Sequence, residues 1–246
     1  MLITRPEKEG RVVAHKLNNM GIRTHCQPMF DYQLNNTPEN LVHLFTQVNQ
    51  PILIFISVAS VVYANNIKPI ISWPASKVFA VGSATLQALE ALNIKAITPK
   101  TQTSEGLLTL PELQVIEGQS IIIVRGDGGR EYLAESLKSR KAIVYYFESY
   151  RRIWRQLSRD IMQHWRSNNI NCIVITSDAL LQSVVELVQL MNQSGSCADN
   201  YWQNTCHWVV ASERIAQKAR AIGLFNIVNA NGANDYAISE AIINME

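Results

Sequence analysis

The stretch IIIVRGDGGREYLAESL, residues 121–137, joins a run of β-branched residues to a helical apolar period through a glycine-rich turn. Such a turn presents unpaired N–H groups at the positive end of a helix dipole, where proteins hold anions. What the motif lacks narrows the choice of anion. A P-loop ends in Lys-Ser/Thr, which is missing, and a dinucleotide turn needs a third glycine where Glu131 stands. Asp127 would repel a polyphosphate, although Arg125 and Arg130 offset it. The competing reading is a tight turn whose glycines only supply positive φ.

Four other strands end in small, hydroxyl-rich turns: SVAS at 57–60, GSAT at 82–85, TSD at 176–178 and ASER at 211–214. Taken singly, each is an ordinary helix N-cap. Taken together at the carboxyl ends of parallel strands, they would line one crevice, each favouring negative charge by roughly 0.3–1 kcal/mol. A ligand with several dispersed carboxylates suits this set better than a single phosphate. Tyr150, in FESYRR, is the titratable residue of most interest. A phenol, with an ordinary pKa of ~10, stays neutral at neutral pH and can give a proton to a leaving hydroxyl. Its alternative is a tyrosine packed at a strand end. His15, His25, His43, His164 and His207 have no serine or cysteine in a nucleophile elbow beside them. Cys26, Cys172, Cys197 and Cys206 are widely spaced, and adjacent Cys206 and His207 point to opposite faces of a strand, so no metal site is expected.

These turns require elements to carry them. Six strand-helix units recur, at LITRPEKEGRVVAHKLNNMG, ILIFISVASVVYANN, VFAVGSATLQALEALNI, the opening stretch, CIVITSDALLQSVVELVQLM and HWVVASERIAQKARAIGLF. In the first, Val13, Leu17 and Met20 share a face and Gly21 follows the helix. Further strands are expected at THCQPMFDYQ, KAITPK, AIVYYFESY and FNIVNA. Continuous apolar strands alternating with helices imply parallel sheets covered on both faces. Two segments, DYQLNNTPEN and FESYRRIWRQ, break the rhythm and read as crossings. The expected fold is therefore α/β in two lobes, each a parallel β-sheet flanked by helices, joined by two crossing connecting strands. Residues 1–33 with 152–246 form one lobe and 36–149 an inserted one. A barrel of ~250 residues would want eight units, and the chain offers six. Arg151, Arg155 and Arg159 lie at i, i+4 and i+8, which reads as the start of an amphipathic helix.

Composition limits the partners. With 22 basic against 20 acidic residues, no overall field draws the chain to nucleic acid or an anionic membrane. The most apolar run, PILIFISVASVVYAN, is about 13 residues where a spanning helix needs ~20. The N-terminus begins a strand at once with no basic leader, so a cytoplasmic protein with reduced thiols is expected.

The ordered set LITRP, FAVGSATLQAL, SEGLLTLPEL, IIIVRGDGGRE, ESYRR, VITSDALL and VVASERIAQKARAIG resembles the uroporphyrinogen-III synthase family over almost the whole chain. The resemblance implies two α/β lobes joined by antiparallel connecting strands, with hydroxymethylbilane, a linear tetrapyrrole polycarboxylate, as substrate. It implies expulsion of the terminal hydroxyl, a spiro intermediate and closure with the last ring inverted, with no cofactor and no metal. By motif, Tyr150 becomes the assistant to hydroxyl departure. Ser57, Gly82, Ser83, Thr85, Ser177 and Ser212 become carboxylate-binding turn residues, with Arg5, Arg125, Gly126, Arg130 and Arg214 beside them. Some relatives carry a threonine-rich turn where this chain has SERIA, so no hydroxyl is available at Ile215. A monomer is expected, in transient contact with the enzyme that precedes it in the pathway. The rival readings are a non-enzymatic two-lobed polycarboxylate sensor and a nucleic-acid module using the Arg151–Arg166 segment.

Overall fold

The computed structural model describes residues 1–129, 131–158, 160–193, with backbone alone from 190, and 200–245. Arg130, Arg159 and Cys197 lie outside the described residues. The chain begins β1 (Leu2–Ile3), α1 (Glu7–Asn19), β2 (His25–Cys26), β3 (Phe30–Leu34), α2 (Pro38–Thr46), β4 (Ile52–Phe55), α3 (Val58–Ile67), β5 (Lys77–Ala80) and α4 (Ser83–Glu90). It continues through α5 (Ser104–Leu107), β6 (Ser120–Gly126), α6 (Tyr132–Ser139), β7 (Ile143–Trp154), α7 (Ile161–Ser167), β8 (Cys172–Ile175) and α8 (Asp178–Gln193). The last elements are α9 (Tyr201–Asn204), β9 (His207–Val210), α10 (Glu213–Ala221), β10 (Ile227–Asn229) and α11 (Asp235–Ile243). Contacts divide the chain into two compact units, Met1–Asp31 with Ile153–Glu246, and Tyr32–Arg152.

In the first unit the sheet runs β10-β9-β8-β1-β2, with every neighbouring pair parallel. Its strands are short apolar runs such as CIVI, buried at all four positions, as a sheet covered on both faces requires. Cys172 and Val174 pack with Val13 and Leu17 of α1 and with Ile238 and Ile242 of α11. Ile173 and Ile175, also buried, point by the two-residue period to the other face. Burial pushes the Cys172 thiol up to about 12 and raises that of Cys206, so both stay protonated at neutral pH. Gly21 follows α1 at φ 84°, a left-handed turn that glycine adopts without strain. Met20, expected on the inner face, is instead 52% exposed, because it caps the helix rather than continuing its last turn.

The second unit has the order β3-β7-β6-β4-β5. β7, β6, β4 and β5 are parallel. β3 runs antiparallel to β7: Asn35 N–H donates to Ser149 O and Arg155 N–H to Met29 O, so numbers rise on one strand as they fall on the other. This sheet is therefore mixed rather than wholly parallel. The two-residue period sorts its core cleanly. Leu53, Phe55, Ile122, Val124 and Phe147 pack with Val61 and Ala64 of α3. Ile52, Ile54, Ile121 and Ile123 pack with Leu133 and Leu137 of α6.

Two expectations need correction here, and the segment expected as the first crossing, within which the two units divide, also carries an unexpected helix start. KAITPK supplies only a single bridge, Ile97 to Phe79, since Pro99 lacks the N–H that a longer ladder would use. The polar segment 31–40 holds the end of β3 and the start of a helix, with Thr37 Oγ1 accepting from Asn40 N–H at 3.3 Å and Pro38 in the first turn. The arginines from 151 do not begin a helix: β7 continues to Trp154, and α7 starts only at Ile161. Arg151 Nε and Nη2 donate to Gln33 Oε1 at 3.0 and 2.8 Å, and Arg155 forks onto Asp31 at 2.8 Å through both nitrogens. Extended pairing with β3 engages these side chains, and no basic helical face for nucleic acid forms at 151–158. Among the described residues no helix is long and apolar enough to cross a membrane.

Candidate active site

Since its strands are parallel, the first unit sends the turns after β1, β8 and β9 out from one edge of its sheet. Arg5, Ser177 and Ser212 stand on these turns. Ser177 Oγ accepts from Leu180 N–H at 3.3 Å, and Ser212 Oγ from Ile215 N–H at 3.4 Å, so both hydroxyls cap helices. Ile215 itself is buried in the core. Arg5 Nη1 donates to Asp235 Oδ1 at 2.5 Å. Arg214 and Lys218 both bond Asp178 Oδ2, Lys218 at 2.6 Å. In these contacts three cations meet two carboxylates.

In the second unit the equivalent edge carries the turns after β4, β5 and β6. Ser57 and Ser60 form a reciprocal cap on α3: Ser57 Oγ accepts from Ser60 N–H at 3.0 Å, and Ser60 Oγ from Ser57 N–H at 3.2 Å. Gly82 has no side chain to cap α4. Gln102 does it instead, its Oε1 accepting from Ser83 N–H at 3.1 Å and from the Ser83 hydroxyl at 3.0 Å. A Cβ on Gly82 would stand 2.9 Å from that oxygen, so the glycine leaves room for it. Thr85 is buried on the inner side of α4 and does not stand free at the edge.

Tyr150 closes this edge. The residue is 3% exposed, its hydroxyl is 3.3 Å from Ser57 Oγ, and Tyr32, edge-on, and Tyr63, tilted, pack beside it with centroids 4.8 and 5.7 Å away. A bulge puts it there: Arg125 pairs with Glu148, but Gly126 pairs with Tyr150. The ring occupies the space over Gly126, where a Cβ would approach it to 2.4 Å.

The glycine turn itself differs from an open anion cradle. Arg125 is 4% exposed, with Nη1 2.9 Å from Glu131 Oε1, Nε 3.9 Å from Glu148 Oε1 and the guanidinium 4.5 Å from the Tyr146 ring centroid. Asp127 N–H donates to Tyr150 O at 2.8 Å and Gly128 N–H to Glu148 Oε1 at 3.4 Å, so both amides already have protein acceptors. Gly128 and Gly129 have φ of 63° and 120°, as the competing turn reading requires. Arg125 and Gly126, expected as anion contacts, are thus accounted for inside the protein.

The Tyr146 hydroxyl, and then Arg125, hold the Glu131 carboxyl below the usual range. Burial, and then the same hydrogen bond to Glu131, push Tyr146 up to about 12. The native state keeps the Tyr146 proton above the ordinary value of 10, so this group stabilises the fold below pH 10 and loses that contribution as pH rises toward about 12. Glu131 works in the opposite sense, contributing above its unfolded pKa and losing that contribution as pH falls through the lowered one. In an alkaline titration of phenolate absorbance Tyr146 should titrate late, and Glu131→Gln should bring it part of the way back toward 10. A late tyrosine unmoved by that change would contradict the pairing.

A family model described as uroporphyrinogen-III synthase HemD matches residues 11–238. The chain belongs to the uroporphyrinogen-III synthase family. The uroporphyrinogen-III synthase of Salmonella typhimurium (strain LT2) is 30% identical over 249 residues, covering 98% of this chain and 99% of that protein. That of Escherichia coli (strain K12) is 29% identical over 250 residues, with 98% and 99% covered. Among solved structures, a mutant uroporphyrinogen III synthase from the extremely thermophilic bacterium Thermus thermophilus superposes with a TM-score of 0.62 at 12% identity, over 99% of this chain and 98% of that one. The Helicobacter pylori 26695 uroporphyrinogen-III synthetase gives 0.57 at 11%, over 92% and 93%. At these identities the structural likeness shows the fold.

Sequence reasoning missed Gln102, Tyr32, Tyr63 and the two carboxylates Asp178 and Asp235. The carboxylates were within reach, since an acidic residue just after a Ser or Asn cap is a first-turn signal. Gln102 and the two tyrosines come in from other elements, and no local pattern marks them.

Proposed function

We propose that this chain is a hydro-lyase that cyclises hydroxymethylbilane to uroporphyrinogen III, expelling water and inverting the terminal ring. Family membership across residues 11–238 carries the reading, and the geometry supports the residue roles. The Tyr150 hydroxyl, beside Ser57 Oγ, donates the proton with which the terminal hydroxyl leaves as water. The electron-poor methylene so formed is attacked by the last pyrrole at its substituted carbon, giving the spiro intermediate. Reopening, closure in the inverted sense and loss of a ring proton complete the balance.

Free bilane closes unaided without inversion, so the protein's task is selection by positioning. In this reading Ser57, Gly82 and Ser83 of the second unit are carboxylate-binding turn residues, and so are Ser177, Ser212, Arg5 and Arg214 of the first. Where Ile215 offers no hydroxyl, Arg214 and the α10 amides serve. The protein acts as a monomer without cofactor. Following bilane disappearance tests this, with acceleration well above the spontaneous rate expected. A protein that binds the bilane yet leaves that rate unchanged or slower is a receptor and not this enzyme.

A further inference from the structure

On β7, Phe147 packs against α3, and by the two-residue period Ser149 faces the same way, its Oγ lying 3.3 Å from Ser60 O. Tyr146 and Glu148 face the other side, toward Arg125 and Glu131. Unbroken alternation would place Tyr150 with them. Instead Tyr150 meets Ser57 and Tyr63 at the start and middle of α3. The bulge opposite Gly126 makes that turn, and Asp127 holds it from both sides. Its N–H donates to Tyr150 O at 2.8 Å, and its Oδ1 accepts from Arg152 N–H at 3.0 Å. Asp127 in turn lies within the loop whose two ends are joined by the Arg125–Glu131 ion pair at 2.9 Å. Arg125 Nε also bonds Gly126 O at 3.2 Å, inside the same loop.

We propose that Arg125 and Glu131 are positioning residues, a clasp that closes the glycine turn and through Asp127 and Gly126 holds the Tyr150 phenol on the α3 side. This replaces a substrate-binding role for Arg125. A buried guanidinium already serving two carboxylates and a carbonyl would have to abandon them to meet a ligand. The inference rests on the reading of Tyr150 as the proton donor.

A double-mutant cycle tests it, with kcat and KM measured for the parent, Glu131→Ala, Tyr150→Phe and the pair. Opening the clasp should lower kcat about tenfold and leave KM within about twofold, since the loss is of alignment and not of binding. In the Tyr150→Phe background the same change should alter kcat by less than about twofold, because the group it positions is already gone. An equal loss in both backgrounds, or a raised KM at unchanged kcat, overturns the clasp while leaving Tyr150 in its role. An unchanged rate for Tyr150→Phe alone removes that role and the clasp with it. If Glu131→Ala fails to fold, Glu131→Gln, which removes the charge at constant size, is read by the same criteria.

Discussion

Tyr150→Phe is expected to lower kcat by about a hundredfold or more, the usual worth of a placed general acid, if the proposed role of Tyr150 holds. The fold barely notices. The ring keeps its place over Gly126 and against Tyr32 and Tyr63, and what disappears is a hydroxyl contact of 3.3 Å to Ser57. A hydrogen bond of that kind contributes about 0.5–1.5 kcal/mol, a shift of only a few degrees in a chain of this size. The two numbers together separate chemistry from structure: kcat falls far while the melting temperature moves little. A variant with the parent's turnover would remove Tyr150 from the reaction.

Gly126→Ala is expected to be as damaging by a different route. The new methyl would stand 2.4 and 2.5 Å from Cε2 and Cζ of Tyr150, closer than any real contact. The ring cannot swing aside freely toward Tyr32 and Tyr63, which pack against it and against each other. Either the bulge straightens or the phenol leaves Ser57, and in both cases the donor is misplaced. Overpacking of this kind costs about 1–3 kcal/mol, so the folded protein persists with a lowered melting temperature and kcat falls at least tenfold. Replacing Tyr150 by a smaller residue in the Gly126→Ala chain should recover stability without recovering turnover. A Gly126→Ala protein with normal turnover would show that the close approach does not set the position of the phenol.

Much of the architecture is legible because it depends on short-range patterns. The runs ILIF, IIIV and CIVI are continuous, as strands buried on both faces must be, and Gly21, Ser57 and Ser212 mark helix ends by chemistry local to them. Thr37-Pro38 is an equally local cap signal, masked by the polarity of the segment around it. The arginines show a different limit. A spacing of four places two residues on one face of a helix and, being even, also on one face of a strand. Only pairing with Gln33 and Asp31, about 120 residues away in sequence, decides for the strand. The same distance problem hides the parts of the site that matter most. The bulge depends on how β7 lies against β6, and Gln102 reaches back 19 residues to cap Ser83. Glycines in a strand-to-helix turn therefore suggest a place for an anion, whereas the structure gives Gly126 to a tyrosine ring.

The most direct test is the identity of the ring-closed product. Freshly prepared hydroxymethylbilane is turned over by the protein and the isomers are separated, with a protein-free reaction run beside it. The inverted isomer should dominate with protein present and the uninverted one without it. The same mixture of isomers in both reactions, dominated by the uninverted product, would mean that the chain does not direct the closure.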